Sequence, residues 1–344
     1  MKSTASTDLA SPTDTLTATA TAPLTFRRLR LADKPAPLQM LGGRGVGTAP
    51  DALQTPLLAP EGALFDAWAS SGDLREHQHG CVRYVTDGRW LHGCAVIDES
   101  QLGMQASAQR VYADLFAVLA DNACSHLLRV WNYFADINVE TGGIERYRQF
   151  NAGRQQAFID AQRSAFDGSP AACALGMHGG PLTVYFLAGR LSPVAIENPR
   201  QVSAYRYPDT YGPRAPTFSR AAVADVGGGR SVLFISGTAS IVGHESIHLG
   251  DIRRQTEESL ANIEAVRGAA EVRSGLAFPA SELIYTVYVR HPDDMAVVRE
   301  VFERHVGPGS SAARDAIYLN ADVCRAELLV ELEAHGFAHA RSTV

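Results

Sequence analysis

Three consecutive stretches in the second half of the chain decide the fold. They read SVLFISGTASIVG (231–243), GDIRRQTEESLANIEAVRGAA (250–270) and LIYTVYVR (283–290). The first and third are short, apolar and rich in β-branched residues, which is typical of strands. Asp251 offers an N-cap, because its side chain can accept hydrogen bonds from the first turn of a helix. The pattern predicts a strand, a helix that begins at Asp251 and a second strand.

The same order of elements occurs about 140 residues earlier. Gly88 precedes the apolar run WLHGCAVID (90–98), as Gly229 precedes the later one. A helix is predicted over about 105–123, where apolar side chains recur at 3.6-residue spacing. The strand-like HLLRVWNYF (126–134) follows. The repeat predicts two related α+β halves.

The second half continues with further elements of both kinds. A helix is predicted over about 293–305, and strands are predicted at DAIYLNA (315–321) and ELLVELEA (327–334). Between the halves lies NPRQVSAYRYPDTYGPRAPTFSRA (198–221), which is rich in proline, tyrosine and arginine. An irregular stretch of this length within a compact protein is more often a lid or a binding loop than a simple connection.

Composition limits the class of protein. The chain has 344 residues, of which 46% are hydrophobic, and its formal net charge is −6. Such a chain can bury a core and is long enough for two domains. The acidic balance argues against nucleic acid or an anionic membrane as a partner. No apolar run reaches the roughly 18–20 residues that span a bilayer.

The N-terminus and the cysteines give two further expectations. Residues 1–24 are rich in serine, threonine and alanine and lack the apolar segment of a signal peptide, so we expect a disordered tail. Five cysteines without a CxxC pair predict free thiols in a reducing cytoplasm. They are Cys81, Cys94, Cys124, Cys173 and Cys324.

Residues 218–337 resemble a Rid/YjgF domain. The resemblance rests on FISGTAS (234–240), on GDIRRQTEESLANIEAVRGAA, on TVYVRHPDDMAVVREVFERH (286–305) and on LLVELEAHG (328–336). It implies an α+β fold of two tandem Rid/YjgF-like domains, ferredoxin-like and similar to one type of chorismate mutase, with mixed sheets and helices packed on one face. Ligand sites in that family lie in clefts between neighbouring domains.

Four further motifs resemble the chorismatases, from about residue 80 to the C-terminus. They are RVWNYFADIN (129–138), RYRQFNAGR (146–154), YGPRAPTFSRA (211–221) and ADVCRAELLVELEA (321–334). Chorismatases remove pyruvate from chorismate and release either a dihydrodiol or a hydroxybenzoate. Gly237 and Cys324 match the hydroxybenzoate-forming branch, which implies 3-hydroxybenzoate, 4-hydroxybenzoate or both as products. The resemblance also implies a product that enters pigment or ubiquinone synthesis.

Glu331 lies in a strand with clear alternation. Leu328, Val330 and Leu332 are expected to face the core, and Glu331 and Glu333 the opposite side. Glu331 is therefore either a solvated carboxylate on a half-exposed strand or a general acid. Cleavage of an enol ether requires a proton on its methylene carbon, which a buried carboxylic acid with a raised pKa can supply. The chorismatase resemblance implies the catalytic role.

Cys324 and Gly237 each allow two interpretations. A cysteine is usually inert packing, whereas the resemblance implies that the Cys324 thiol helps to open an arene-oxide-like intermediate and directs the final hydroxyl. Gly237 allows a β-bulge, or leaves room for the substrate ring, or does both.

A substrate with two carboxylates requires arginines that bind in bidentate fashion. Arg314 aligns with the carboxylate-binding arginine of Rid proteins, and Arg220 lies in PTFSRA (216–221). Any single arginine is more often a solvated or ion-paired surface residue than a ligand-binding one. Tyr211 and Tyr133 either form hydrogen bonds with substrate oxygens or simply pack. The substrate-binding candidates are Arg314, Tyr211, Arg220, Gly237, Tyr133, Arg154 and Arg304.

The segment His244–His248 spells HExxH, which binds zinc only on a helix. Here it follows a predicted strand and precedes the predicted helix, so we expect a loop and cofactor-free chemistry.

Three other functions are alternatives to a hydroxybenzoate-forming chorismatase. They are a diol-forming chorismatase, a Rid-type imine deaminase that uses Arg314, and a non-catalytic binding module. The expected partner is chorismate alone, on a homotrimer or a monomer with pseudo-symmetric domains.

The motifs also predict where the domains begin and end. We expect a tail over 1–24, a degenerate Rid-like domain over 25–195 and a connecting loop over 196–217. The catalytic residues are expected in the C-terminal domain, over 218–344.

Overall fold

The computed structural model describes residues 23–33, 39–49 and 52–339. Its strands are β1 (Thr25–Arg30), β2 (Met40–Gly47), β3 (Leu57–Ala59), β4 (Ala63–Ala69), β5 (Arg75–His79), β6 (Val82–Thr86), β7 (Trp90–Ile97), β8 (His126–Ala135), β9 (Glu140–Thr141), β10 (Ile144–Glu145), β11 (Ala171–Met177), β12 (Leu182–Gly189), β13 (Val194–Ile196), β14 (Ala221–Gly227), β15 (Arg230–Ala239), β16 (Ile241–Val242), β17 (Glu245–Ser246), β18 (Ile284–Val289), β19 (Ile317–Asn320) and β20 (Val330–His339). Its α-helices are α1 (Gly103–Asp121), α2 (Arg146–Asp160), α3 (Ile252–Ser274), α4 (Met295–Val306) and α5 (Ser311–Asp315).

Two large sheets have the same strand order. The first unit, β5 to β12, forms a sheet in the order β11-β8-β12-β7-β6-β5. The second unit, β13 to β20, forms one in the order β19-β18-β20-β15-β14-β13, with β3 added beside β19. In each sheet one strand pair is parallel, β8 with β11 and β18 with β19. The prediction of two related α+β halves with mixed sheets is therefore confirmed.

The helices of each unit cover one face of its sheet. Leu115 and Phe116 of α1 pack with Val130 of β8 in one core, because their spacing places them on one side of the helix. In the second unit, Leu260 of α3 packs with Leu332 of β20. Burial of each such side chain contributes about 1.5–3 kcal/mol to folding.

The opposite faces of the two sheets enclose a second interior. A third sheet, in the order β1-β4-β2, closes it. One cluster of buried residues combines Trp68 of β4, Trp131 of β8, Phe234 of β15 and Leu319 of β19. Residues that point away from the helices of the second unit are therefore inside the molecule rather than in water.

The residues that cap α3 at its two ends are of the types that usually begin and end helices. The Asp251 carboxylate accepts a hydrogen bond from the Arg254 backbone N–H at 3.0 Å, as predicted for an N-cap. The helix ends at Gly275, which adopts a left-handed conformation with φ of 71°. None of the helices in residues 23–33, 39–49 and 52–339 is long and apolar enough to cross a membrane.

Residues 1–22 of the expected tail over 1–24 lie outside the described residues. Leu24 is described and is buried, and its backbone N–H donates to the Val226 carbonyl at 2.9 Å. All five cysteines lie in the described ranges and are free, which confirms the prediction of unpaired thiols. The segment over 198–220 connects β13 to β14 through irregular backbone and two short 3-10 turns.

Candidate active site

A cavity of about 330 Å³ opens between the two units. Its walls are the start of α2, the segment over 198–220, the end of β15 and the chain from Cys324 to Glu331. A smaller extension continues inward past Gly237 to Arg154. Together they form a cleft in which residues from both units meet.

Glu331 lies at the junction of the cavity and its inner extension. It is the second residue of β20, opposite Ala239 and Tyr288 in the strand register, and only 3% of it is exposed. The solvated alternative is excluded by this burial. Burial and, to a smaller extent, the Glu333 charge raise the pKa of Glu331 to about 8, although Arg129 and Arg220 oppose the rise. At neutral pH this side chain is a carboxylic acid with a proton to donate.

Gly237 lies where β15 bulges against β20. The register of the two strands shifts between Ile235 and Thr238, which is the signature of a β-bulge. A Cβ atom on Gly237 would overlap the Glu331 Oε1 atom and would lie 3.0 Å from the Cys173 Cβ atom. The absence of a side chain at position 237 is thus what gives the Glu331 carboxyl its space.

Cys324 lines both the cavity and its extension, in the loop before β20. Burial raises the pKa of its thiol to about 12, and the nearby Glu331 contributes in the same direction. The thiol is therefore protonated at neutral pH and can donate a hydrogen bond, but it is not a ready thiolate nucleophile. Tyr147 of α2 lines the same two spaces.

Three arginines line the outer part of the cavity, and one of them, Arg148, forms an ion pair with Glu145 at 3.2 Å. Arg220 donates to the Val202 carbonyl at 2.9 Å and to the Tyr207 hydroxyl at 2.8 Å. Arg325 lies over the Tyr211 ring at 4.0 Å and donates to the His244 carbonyl at 3.0 Å. The Arg220 Nε and Arg325 Nη2 atoms are buried without a partner in the described part of the chain. Buried N–H groups of this kind are costly unless a ligand accepts from them.

A fourth arginine lies at the inner end. Arg154 is 2% exposed, and its guanidinium carbon lies 5.0 Å from the Tyr112 ring centroid. Among the described residues its Nε and Nη2 atoms find no hydrogen-bond acceptor. Tyr147 and Asn151 also line this extension, and the three residues lie at helical spacing on one side of α2. The cleft therefore has cationic groups at both ends, with Glu331 at the junction between them.

A different polar cluster surrounds Glu333, two residues along β20. Arg44 of β2 donates to its carboxylate at 3.2 Å, the Tyr288 hydroxyl donates at 2.9 Å, and Arg129 of β8 forms an ion pair with it. Despite burial, these partners hold the pKa of Glu333 at about 2. Glu333 is therefore ionised and fully engaged.

Similarity to known proteins identifies the family. The family described as Chorismatase FkbO/Hyg5-like, N-terminal, matches residues 66–188. A 3-hydroxybenzoate synthase from Streptomyces hygroscopicus is 38% identical over 295 residues, which cover 82% of this chain and 84% of that protein. The chain belongs to the chorismatase family. A chorismatase from Streptomyces rapamycinicus is 37% identical over 79% of this chain and 81% of its own length. A crystal structure of a chorismatase matches with a TM-score of 0.79 and 28% identity, over 92% of this chain and 99% of that one.

In this chorismatase, the predicted site residues are divided between several regions. Glu331, Cys324, Gly237, Arg220 and Tyr211 line the main cavity, and Arg154 lines its extension. The Tyr211 hydroxyl lies 3.3 Å from the His244 Nδ1 atom.

Three candidates do not line this cleft. Tyr133 is completely buried and shares a 2.7 Å hydrogen bond with the Tyr288 hydroxyl, in the cluster around Glu333. Arg304 is on the surface of α4, where it forms an ion pair with Glu300. Arg314, on α5, lines a separate cavity beside β1.

Several lining residues are not among the candidates from the sequence, and Tyr147 and Arg325 are two of them. Tyr147 lies within RYRQFNAGR, and Arg325 directly follows Cys324. The sequence offered one signal for Tyr147, because it lies seven residues before the candidate Arg154 and a helix places residues at that spacing on the same side. The signal for Arg325 was its position next to the candidate Cys324. Neither residue type is distinctive without the tertiary contacts.

The HExxH segment of this chorismatase is not helical, as expected. Its residues Glu245 and Ser246 form β17, which pairs with β16. His248 has a φ of 61° and lies 3.6 Å from the Glu258 carboxylate. Within the described residues, no group of three or more histidine, cysteine or acidic side chains is arranged to hold a metal ion.

Proposed function

We propose that this chorismatase converts chorismate to 3-hydroxybenzoate and pyruvate, with Glu331 as the general acid. The observation that carries the proposal is a buried, protonated carboxyl group in a cleft whose two ends hold arginine nitrogens without a partner in the described part of the chain. A rigid dianion with an enol ether between its acidic ends matches this arrangement. The names of the relatives at 37–38% identity support the same substrate and product.

The reaction begins with proton transfer from Glu331 to the methylene carbon of the enolpyruvyl group. The resulting oxocarbenium ion is trapped by the ring hydroxyl of the substrate, whose proton returns to the enzyme. Pyruvate then leaves when the ring C–O bond of the former enol ether and the newly formed ketal C–O bond break. The oxygen that stays on the ring bonds to the adjacent ring carbon that lost its oxygen, and the resulting arene-oxide-like ring isomerises to hydroxybenzoate. The two products contain every atom of chorismate, so the reaction consumes no water, oxidant or reductant.

The arginines hold the two carboxylates of the substrate. Arg154 binds one at the inner end, and Arg220 and Arg325 bind the other near the opening, because each has a buried N–H that lacks an acceptor among the described residues. Tyr211 stacks on Arg325 and fixes its guanidinium. Arg304, Arg314 and Tyr133 are not part of this proposed substrate site, since they do not line the cleft.

The product is decided after pyruvate leaves. The protonated Cys324 thiol assists opening of the arene-oxide-like ring and directs the position of the hydroxyl group. Part of the intermediate opens to 4-hydroxybenzoate. The ring lies over Gly237, where no side chain intrudes. The segment over 196–220 contributes Tyr207, Tyr211 and Phe218 to the wall, and it excludes the bulk water that would give a dihydrodiol.

The proposal includes the domain limits. The N-terminal domain spans 25–195, the loop 196–217 and the C-terminal domain 218–344, which carries Glu331 and Cys324. A single chain supplies both walls of the cleft, so we propose that the monomer is active. Free thiols throughout the described chain support a reducing, cytoplasmic location.

The test is incubation of the purified protein with chorismate alone, with chromatographic measurement of pyruvate and ring products. We expect pyruvate and hydroxybenzoate in equal amounts, with 3-hydroxybenzoate as the main ring product. Absence of pyruvate would reject the proposal. A dihydrodiol without hydroxybenzoate would retain the acid step and reject aromatisation. Imine deaminase activity has less support, because Arg314 is remote from the Glu331 cavity.

A further inference from the structure

The hairpin of β16 and β17 borders the main cavity and overlaps the HExxH segment. Ile241 of β16 lines the cavity and pairs with Ser246 of β17. Contacts from two directions anchor the hairpin. The Ser240 hydroxyl donates to the Ile247 carbonyl at 2.9 Å. The buried Asn262 amide of α3 donates to the Ile241 carbonyl at 2.9 Å. The hairpin is therefore a fixed platform at the edge of the site.

Arg325 binds this platform through one end of its guanidinium group. The Arg325 Nη1 atom donates to the His244 carbonyl at 3.0 Å and to the Ser246 hydroxyl at 3.0 Å. Both hydrogens of Nη1 are thereby used. The Nη2 atom, in contrast, is buried and has no partner among the described residues. Because the guanidinium is planar and rigid, the two contacts at Nη1 determine where Nη2 points.

The Ser246 hydroxyl has a second partner that fixes its orientation. It donates to the Glu327 carboxylate at 2.7 Å. A hydroxyl has one hydrogen and two lone pairs, so the hydrogen of Ser246 is committed to Glu327 and its lone pairs face Arg325. A glutamine at position 327 would still offer an oxygen that accepts this hydrogen bond. Ser246 is therefore held as an acceptor for the Arg325 N–H.

Tyrosine rings of the segment over 198–220 cover the face of the same guanidinium. The Arg325 Cζ atom lies 4.0 Å from the Tyr211 ring centroid and 5.3 Å from the Tyr207 ring centroid. Tyr211 also contacts the hairpin, because its hydroxyl lies 3.3 Å from the His244 Nδ1 atom. With Nη1 bound and its face covered, the guanidinium keeps one orientation, which leaves Nη2 for a ligand of the cavity.

We propose that the β16–β17 hairpin orients Arg325 toward a carboxylate of the substrate, and that Ser246 is the positioning residue of this hairpin. A guanidinium held in place beforehand loses less conformational freedom when it binds a carboxylate. Ser246 lies outside the lining of the cavity and acts through Arg325. The inference rests on the proposed function, in which Arg325 binds a carboxylate of chorismate.

The test is a double-mutant cycle on Ser246 and Arg325, measured by steady-state turnover of chorismate. Ser246→Ala should raise KM about 5- to 20-fold and leave kcat within about twofold, because Arg325 binds the substrate and the transition state alike. Ser246→Thr keeps the hydroxyl and should restore KM to within about twofold of the wild-type value. In an Arg325→Ala background, Ser246→Ala should change KM by less than about twofold, since the group that it orients is gone.

Ser274→Ala is the matched control. Ser274 is half-buried, like Ser246, and its hydroxyl donates to the Ala270 carbonyl at 2.7 Å near the end of α3. The variant therefore loses a hydrogen bond of a serine hydroxyl away from the cleft and should keep the wild-type KM. If Ser246→Ala does not fold, Ser246→Thr and Ser246→Val replace it as a pair, because these side chains have the same shape and only threonine has the hydroxyl.

Several outcomes would overturn the proposal. A Ser246→Ala enzyme with the KM of the control, a KM that Ser246→Thr does not restore, or an undiminished Ser246→Ala effect in the Arg325→Ala background would each reject it. Failure of the proposed function is a distinct result, because the wild-type protein would then not turn over chorismate. Calorimetric titration with chorismate would compare the same variants in that case, and a lack of binding by the wild-type protein would reject the role of Arg325 and the proposal with it.

Discussion

Glu331 and Glu333 lie two residues apart on one face of β20 and are almost equally buried, with 3% and 4% exposure. Their protonation states nevertheless differ at neutral pH, because Glu331 is a neutral carboxylic acid and Glu333 is a negatively charged carboxylate. Arg44, Arg129 and Tyr288 surround Glu333 and hold its pKa at about 2. No described side chain forms a hydrogen bond or an ion pair with Glu331, and its pKa rises to about 8. Burial alone therefore does not set the charge of a carboxyl group, because the partners decide which form is stable.

The difference separates a structural carboxylate from a reactive one. Glu333 joins β20 to the third sheet through Arg44 and to the first unit through Arg129. Glu331 points to the space kept open by Gly237. The negative charge of Glu333 also raises the pKa of Glu331. The ionised member of the pair thus helps to keep the other protonated.

The largest expected effect comes from Glu331→Gln. Loss of the transferable proton should lower kcat by about 10²–10⁴-fold, while chorismate binding is retained. The matched control is Glu327→Gln, which changes another carboxyl group of the same cavity. Pyruvate release and binding by calorimetry are the measurements. Normal turnover by Glu331→Gln would show that the proton comes from another group.

Glu333→Gln should act on stability. The substitution leaves Arg44 and Arg129 without their carboxylate, so we expect a loss of about 3–5 kcal/mol in the free energy of unfolding. Urea unfolding measures it, with Glu331→Gln as the contrasting variant. Equal stability of Glu333→Gln and the wild-type protein would contradict the view that Glu333 joins the three sheets.

Gly237→Ala should lower kcat/KM by about 10–100-fold. The added methyl group overlaps the Glu331 carboxyl and displaces the acid from its position. Gly268→Ala is the control, because a Cβ at that position in α3 meets no atom within 4 Å. A Gly237→Ala enzyme with the activity of the control would show that the space at position 237 is not needed.

The pH dependence of turnover follows from the raised pKa of Glu331. The acid form is lost above about pH 8, so kcat should fall about tenfold per pH unit beyond that value. The same group makes a contribution to stability that is complete below its unfolded pKa of 4.5 and is lost as the pH rises through about 8.

Glu331→Gln removes that titration and should flatten the pH dependence of stability between these two values. At pH 7 we expect the variant to be more stable than the wild-type protein by about 1–3 kcal/mol. Thermal unfolding at several pH values provides the measurement. A kcat that is constant from pH 7 to pH 10 would be inconsistent with a Glu331 acid.

Cys324→Ala should have the smallest effect on rate. Pyruvate release should stay within about threefold of the wild-type rate, since the thiol acts after the proton transfer. The ratio of 3- to 4-hydroxybenzoate should change, as measured by chromatography of the ring products. The control is Cys94→Ala, which alters a thiol outside the lining of both active-site spaces. An unchanged product ratio would exclude the thiol from aromatisation.

The sequence by itself determined the local elements of this protein. The 3.6-residue spacing in α1, the Asp251 cap of α3 and the alternation in β20 are encoded by neighbouring residues. The repeat of these patterns was sufficient to predict two related α+β halves. Alternation also predicted that Glu331 and Glu333 share a face.

Only the tertiary structure decided what that face meets. A half-exposed strand is a valid alternative from the sequence alone. In the structure, residues of the first unit such as Tyr147 and Cys173 cover this face at Glu331. Arg44 of the third sheet covers it at Glu333, although Arg44 is 289 residues from Glu333 in the chain. Contacts over such distances also separate Arg314 and Tyr133 from the cleft and bring Arg154, Arg220 and Arg325 to it. The physical reason is that periodicity defines the faces of an element, whereas the partner of each face depends on how distant segments pack.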